Sequence, residues 1–239
     1  MIPPVEPRFR LDSLGKRFGT RAVLKCASAW ASPGHITLLV GRNGSGKTTL
    51  LRCGLGLTRP DFGSVFLDGR RVNGGLSALS RSGLAYLPDR GLLSPRLSIR
   101  QHLAAFAQAR GGELDLAPVE SLRIGGLLDS RPSEMSGGER RRCEICLATA
   151  AGTYILIADE PLLGIAPTDR RRVAAALRSR ADAGCALVVT GHEVEDLFEI
   201  ADEVVWMVAG TTHGLGSPEQ AARHHQFRVE YLGARCHPV

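Results

Sequence analysis

The sequence is short of what membrane spans, nucleic-acid platforms and disulfide frameworks require. Aromatic residues make up 5% of the 239 positions and are scattered, so they cannot assemble a base-stacking surface. No apolar run approaches the roughly 20 residues needed to cross a bilayer. The longest runs, "ITLLVG", "YILIA" and "CALVV", have the length of buried strands. The opening "MIPPVEPRFR" lacks the apolar centre of a signal peptide, and a cytoplasmic location is expected. Lysine is scarce: 27 of the 30 basic residues are arginine, and these carry most of the net charge of +6. The arginine runs at 140–142 and 170–172 are expected to be solvated helix faces, with no nucleic acid as partner. The six cysteines, at 26, 53, 143, 146, 185 and 236, are widely spaced. Only Cys143 and Cys146 form a C-x-x-C, and no second pair lies nearby. Buried thiols are expected, not a zinc site or disulfides. The seven histidines show no metal spacing, and there are no internal repeats or low-complexity linkers.

What is present reads as an ordinary globular chain, 44% hydrophobic and 23% charged, long enough for a substantial core. Short β-like runs, "FRLDSL" and "AVLKCASAW", flank an expected turn at "GKRFG". "HITLLV" reads as a buried strand leading through "GRNGSGKTT" into a helix that ends before Pro60. "GSVFLDGRRV" reads as a hairpin turning at Asp68-Gly69. "GLAYLP" is a further strand, followed by a helical, loop-rich stretch to about Glu134. Beyond it, helices alternate with the apolar strands "YILIAD", "CALVVTG" and "ADEVVWMVAG". This pattern predicts an α/β sheet with helices on its faces, a β-rich N-terminal layer and a helical insertion.

Four stretches carry chemistry. Gly41 to Thr48 matches G-x-x-x-x-G-K-[ST] between a predicted strand and a predicted helix, the setting in which such a loop cradles phosphates. Its glycines let backbone N–H groups curl around the phosphates, Lys47 reaches the outer ones, and the Thr48 hydroxyl can hold Mg²⁺. Asp159 and Glu160 end an apolar strand. One carboxylate can bind Mg²⁺ and the other can polarise an attacking water. A pair of helix N-caps is the plainer reading of the two carboxylates. His192 closes another apolar strand and is expected at the same edge, near a γ-phosphate. The fourth stretch, "SGGE", places Ser136, Gly137, Gly138 and Glu139 at the start of a helix, whose free N–H groups suit a second anion.

The order "GRNGSGKTT", "SGGE", "ILIADEP" and then a histidine resembles the nucleotide-binding subunit of ABC transporters, from about residue 8 to 217. The tail "FRVEYLG" and the stretch "DEPLLGIAP" look most like ATPases of branched-chain amino acid uptake and lipopolysaccharide export. The resemblance implies an α/β P-loop NTPase of the ABC ATPase type. It would have a mixed sheet core, an N-terminal antiparallel β subdomain and a short helical subdomain at about 95–150, followed by a C-terminal tail at 218–239. It implies ATP and Mg²⁺, hydrolysis that powers separate membrane subunits, and a peripheral position on the inner face of the membrane. It also implies a head-to-tail dimer with a second copy or a paralogous ATPase, each SGGE turn closing over the nucleotide of the other subunit.

Carried over by position, Phe18 stacks on adenine, while Gly41, Arg42, Asn43, Gly44, Ser45, Gly46, Lys47, Thr48 and Thr49 hold the phosphates. Glu160 is the catalytic base, Asp159 the Mg²⁺ partner and His192 the switch histidine. Three departures stand out. Asp89 replaces a glutamine that touches Mg²⁺ and senses the membrane subunit. Ala166 replaces an aspartate that crosses the dimer interface. The segment between Arg110 and Ser136 is short for the subdomain that docks on the membrane partner. A soluble ABC-type ATPase and a low-turnover regulatory module are the alternative readings.

Overall fold

The computed structural model describes residues 5–72, 75–110, 114–150, 152–192 and 194–233. Cys236 and the end of the expected tail, 234–239, lie outside the described residues. The strands are β1 (Phe9–Phe18), β2 (Arg21–Ala31), β3 (Ile36–Val40), β4 (Phe62–Leu67), β5 (Arg70–Val72), β6 (Leu84–Leu87), β7 (Ile155–Ala158), β8 (Ala186–Gly191), β9 (Glu203–Val208) and β10 (Thr211–Gly216). The principal helices are α1 (Lys47–Gly54), α2 (Leu76–Arg81), α3 (Ile99–Arg110), α4 (Ala117–Ser121), α5 (Gly137–Ala150), α6 (Pro167–Asp182), α7 (Val194–Phe198) and α8 (Pro218–Arg223).

The strands form one sheet in the order β5-β4-β1-β2-β10-β9-β3-β8-β7-β6. The first four are antiparallel to one another and build the expected N-terminal layer, and β2 joins β10 in parallel. At the other side β9, β3, β8, β7 and β6 all run parallel. The parallel strands β3, β7 and β8 are buried along their whole length, as strands covered on both faces must be, which is why their sequences are continuous apolar runs. Two apolar cores form. One packs α5 and α6 on one face of β3, β7 and β8; the other packs α1 and the antiparallel layer with the opposite face of the same strands.

β1 departs from the sequence expectation. The stretch "GKRFG" is not the turn: the strand continues to Phe18, and the reversal falls at Gly19-Thr20, with Phe18 paired to Arg21. Register shifts after Leu11, Leu14 and Lys16 absorb the polar residues, and Ser13 takes φ 53°. Asp61 secures this end, accepting from Lys16 Nζ at 2.9 Å and from the Arg17 backbone N–H at 2.7 Å. The extra strand length places Phe18 at the end of β1, beside the reversal. The Asp68-Gly69 hairpin is present, with both residues at positive φ as a tight reversal needs.

The segment after β10 is anchored by one aromatic. Phe227 is fully buried, 5.4 Å from Trp206 edge-on and 5.2 Å from Tyr231 in a stack. Truncating a buried phenylalanine removes its transfer energy and leaves a cavity, so Phe227→Ala is expected to lower stability by about 3–5 kcal/mol. Urea unfolding checks this. A change below about 1 kcal/mol, the range of ordinary surface substitutions, would mean that the segment is not part of the cooperative core.

Candidate functional site

The parallel strands deliver the phosphate loop, Asp89, the two carboxylates and His192 to one edge. Val40 ends β3 and opens the loop 41–46; Leu87 ends β6 two residues before Asp89; Ala158 ends β7 before Asp159 and Glu160; Gly191 ends β8 before His192. Ligands gather at the carboxyl ends of such strands because the loops there converge and the helices that follow point their N-termini inward.

The loop needs its glycines for space as well as for torsion. A Cβ on Gly41 would overlap the Met207 carbonyl oxygen, and Gly46 sits at φ 115° with Met207 Cε at 2.8 Å from where its Cβ would be. Lys47, the first residue of α1, is buried and donates to the Gly41 carbonyl at 2.7 Å. Burial lowers its pKa, opposed by the carboxylates of Glu160 and Asp159. A cleft of ≈ 450 Å³ lies against this loop, lined by Phe18, Arg21, Val23, residues 43, 44 and 46–49, and Glu160. Phe18 is 52% exposed there, with Lys16 Nζ 5.5 Å from its ring centre. An exposed aromatic face beside a phosphate loop is suited to a flat base.

The two carboxylates do not cap a helix. α6 begins at Pro167 with Ala166 as its N-cap, well past them. Asp159 is fully buried, and Thr190 Oγ1 donates to its Oδ1 at 2.6 Å. Its other oxygen, Oδ2, is buried without a hydrogen-bond partner among the described residues. Burial, with the charge of Asp89, pushes the Asp159 pKa up against the hydrogen bond from Thr190. Burial likewise raises the nearby Tyr86 to about 12, with Asp159 and Asp89 both contributing. Asp89 therefore acts on this corner of the site although its side chain is exposed. A buried carboxylate oxygen with no donor, beside a threonine hydroxyl, fits a hard cation.

Glu160 sits at φ 49°, a left-handed conformation that costs a side-chain-bearing residue about 1–3 kcal/mol. Its N–H is held by Thr190 Oγ1 at 2.9 Å, so one threonine hydroxyl serves both carboxylate residues. The Glu160 carboxylate is 2.9 Å from His192 Nδ1 and 3.8 Å from Lys47 Nζ. The structure thus joins Lys47, Glu160 and His192 directly.

Ser136, Gly137, Gly138 and Glu139 lie outside this cleft. The Ser136 N–H and hydroxyl donate to Glu139 Oε2 at 2.9 and 2.7 Å, and the Glu139 N–H returns to Ser136 Oγ at 3.3 Å. This reciprocal cap fixes an exposed helix start.

The arginine run at 140–142 needs correcting. Arg140 is exposed, but Arg141 is buried and donates to backbone carbonyls at the strand ends. Arg142 is only partly exposed and donates to the Leu122 carbonyl at 3.0 Å. The run at 170–172 remains half-exposed or exposed, as expected of a helix face. The cysteine expectation holds for Cys53, Cys143, Cys146 and Cys185, while Cys26 is exposed on β2. Burial raises the thiols of Cys143 and Cys146 to about 12, which keeps them in the neutral form. Thr190, Arg21 and Arg141 escaped sequence reasoning because none stands in a motif. The only signal for Thr190 is a lone hydroxyl near the end of an apolar run.

A phosphate loop before a helix, a carboxylate pair at the end of the parallel strand one place removed and a cleft against them define a nucleotide-binding domain of the P-loop class. The ABC transporter family matches residues 24–163. The chain is 30% identical to the lipopolysaccharide export system ATP-binding protein LptB of Haemophilus influenzae, over 93% of this chain and 95% of that protein. Among solved structures, an ATP binding subunit of an ABC transporter superposes with a TM-score of 0.79 at 23% identity, covering 94% of this chain and 95% of the other. A dimeric ATP-binding cassette in a post-hydrolysis state with ADP and Pi superposes with a TM-score of 0.76 at 20% identity, covering 87% and 98%. The chain belongs to the ABC transporter family. It is an ATP-binding subunit of that family, an ATPase that works with a transporter's membrane subunits. No described helix is long and apolar enough to cross a membrane.

Proposed function

We propose that this chain binds ATP in the cleft between Phe18 and the loop 41–49 and hydrolyses it with Glu160 as general base. The observation that carries the reading is the cleft itself, which gathers Phe18, the phosphate loop and Glu160 on one wall-to-wall surface. Phe18 takes the adenine, and Gly41, Arg42, Asn43, Gly44, Ser45, Gly46, Thr48 and Thr49 surround the phosphates. Lys47 faces the outer ones, and His192 orients Glu160 and the terminal phosphate. Thr48, Asp159 and Asp89 would hold Mg²⁺, which when bound neutralises phosphate charge and orients the terminal group. Lys47 and His192, one at each carboxylate oxygen, hold the Glu160 side chain in place at the cleft.

The exposed SGGE turn completes the site of a second ATPase subunit, a copy or a paralogue, which a two-fold head-to-tail dimer supplies twice over. The likeness to a dimeric cassette supports this arrangement. Closure on ATP and opening after hydrolysis would be passed to membrane subunits, which hold the chain at the inner face of the membrane. The helical insertion offers such subunits an apolar cleft of ≈ 880 Å³, lined in part by Leu103, Leu114, Leu116, Val119 and Leu128. It is of the kind an amphipathic partner helix fills.

Phosphate release from the purified chain with ATP and Mg²⁺ tests the reading, with Lys47→Ala as control. Turnover that survives in Lys47→Ala would sink it. Asp89 supplies a finer test. Its charge adds a hard ligand beside Asp159 and also repels the terminal phosphate when the metal is scarce. Turnover is therefore expected to depend more steeply on Mg²⁺ in the wild type than in Asp89→Gln. Superimposable Mg²⁺ titrations would place Asp89 away from the metal.

A further inference from the structure

α5 starts at the SGGE turn, and Arg141 lies just over one helical turn along it. Its guanidinium is 4% exposed and uses all five of its N–H donors. Nη1 donates to the Pro88 carbonyl at 2.7 Å and to Glu144 Oε2 at 2.9 Å. Nη2 donates to the carbonyls of Asp159 at 2.8 Å and Glu160 at 3.0 Å, and Nε to that of Pro161 at 3.3 Å. Glu144 is equally buried, and its other oxygen accepts the Leu92 N–H at 3.3 Å. One ion pair on α5 therefore holds two separate segments. The first, 88–92, carries Asp89; the second, 159–161, carries both carboxylates at the end of β7.

Burying an ion pair is costly, and here the cost is offset by the four backbone carbonyls that Arg141 satisfies, which apolar residues could not do. What the ion pair adds is rigidity of a particular kind. Planar, fully bonded and fixed by its counter-ion, the guanidinium makes the helix start and the backbone of Asp159 and Glu160 move as one piece.

We infer that Arg141, with Glu144 as its counter-ion, is a positioning residue that couples the two nucleotide sites of the dimer. The inference rests on the reading that the SGGE turn serves the other subunit's nucleotide. When that turn seats on the partner's phosphate, α5 is drawn toward it, and Arg141 transmits the displacement to this chain's own Asp159, Glu160 and Asp89 loop. Each subunit's carboxylates are then set only when its turn is engaged across the interface. The two sites become competent together.

The test is ATP turnover of the purified full chain as a function of ATP, for the wild type, Arg141→Lys and Glu144→Gln. Lysine offers three donors from one point and cannot span five acceptors. The wild type is expected to show a Hill coefficient approaching about 2, the limit set by two sites. Both variants are expected to fall toward about 1. Misplacing the carboxylate backbone is expected to lower kcat about 10–100-fold while half-saturating ATP stays near the wild-type value. A wild-type Hill coefficient in either folded variant overturns the inference, as does a wild type that shows no cooperativity. Glu144→Gln keeps the shape and the acceptor for Leu92, so it decides the matter if Arg141→Lys does not fold. Glu160→Gln, measured alongside, separates the two levels. If it turns over normally, the catalytic reading fails. If it is inactive and the Arg141 and Glu144 variants behave as wild type, only the coupling fails.

Discussion

Glu160→Gln is expected to bind ATP as the wild type does and to lose about 10²–10⁴-fold in turnover, the usual loss when a positioned proton acceptor is removed. The substitution keeps volume and shape, so the neighbours that fix the side chain, His192 at 2.9 Å and Lys47 at 3.8 Å, still meet a polar group. The backbone N–H remains bound to Thr190, and the left-handed torsion is unchanged in kind. Only the capacity to take a proton from water is gone. ATP can close the dimer but not leave it as ADP and phosphate, so a nucleotide-bound dimer should accumulate. Phosphate release measures the first half and sedimentation with ATP and Mg²⁺ the second. Near-normal turnover would remove Glu160 from the base role. Lost ATP binding would mean that Glu160 acts on the nucleotide instead.

Ser136→Arg is also expected to keep nucleotide binding and lose turnover, but by preventing the ATP-driven dimer instead of trapping it. The turn lies outside the cleft that receives the chain's own ATP, so the nucleotide affinity of the monomer should be nearly unchanged. Across the interface an arginine side chain would fill the space of the terminal phosphate and break the reciprocal cap with Glu139. Removing preorganised donors aimed at a reacting group typically costs about 10²–10³-fold, and a blocked interface adds to that loss. ATP-driven dimerisation and turnover should therefore vanish together. Fluorescent-nucleotide titration of the dilute monomer, beside sedimentation and phosphate release, distinguishes the cases. A fall in monomer affinity matching the fall in turnover would mean that the turn acts on its own chain's nucleotide.

Much of this architecture could be read from local pattern. The continuous apolar runs became the buried parallel strands β3, β7 and β8, because a strand covered on both faces has no solvent-facing side for charged residues. The Asp68-Gly69 pair became a hairpin because its two residues must take positive φ. The "GKRFG" stretch misled, since glycine and charge mark turns only where no neighbouring strand absorbs them. Here β2 and β4 both pair with β1, and bulges carry the strand through to Phe18.

The sequence by itself determined the chemistry available at the site: a phosphate loop before a helix, carboxylates and a histidine at strand ends, and a helix start free to take an anion. Each of these is a short-range consequence of residue type and spacing. Only the tertiary structure decided how those parts are connected. Strand order put Lys47, Glu160 and His192 in contact although they are more than 30 residues apart in pairs. An arginine in a charged run looks the same whether it faces water or the interior. Arg141 went inside because the carbonyls at the ends of β6 and β7 needed donors that no strand could supply, and α5 passed within reach of them.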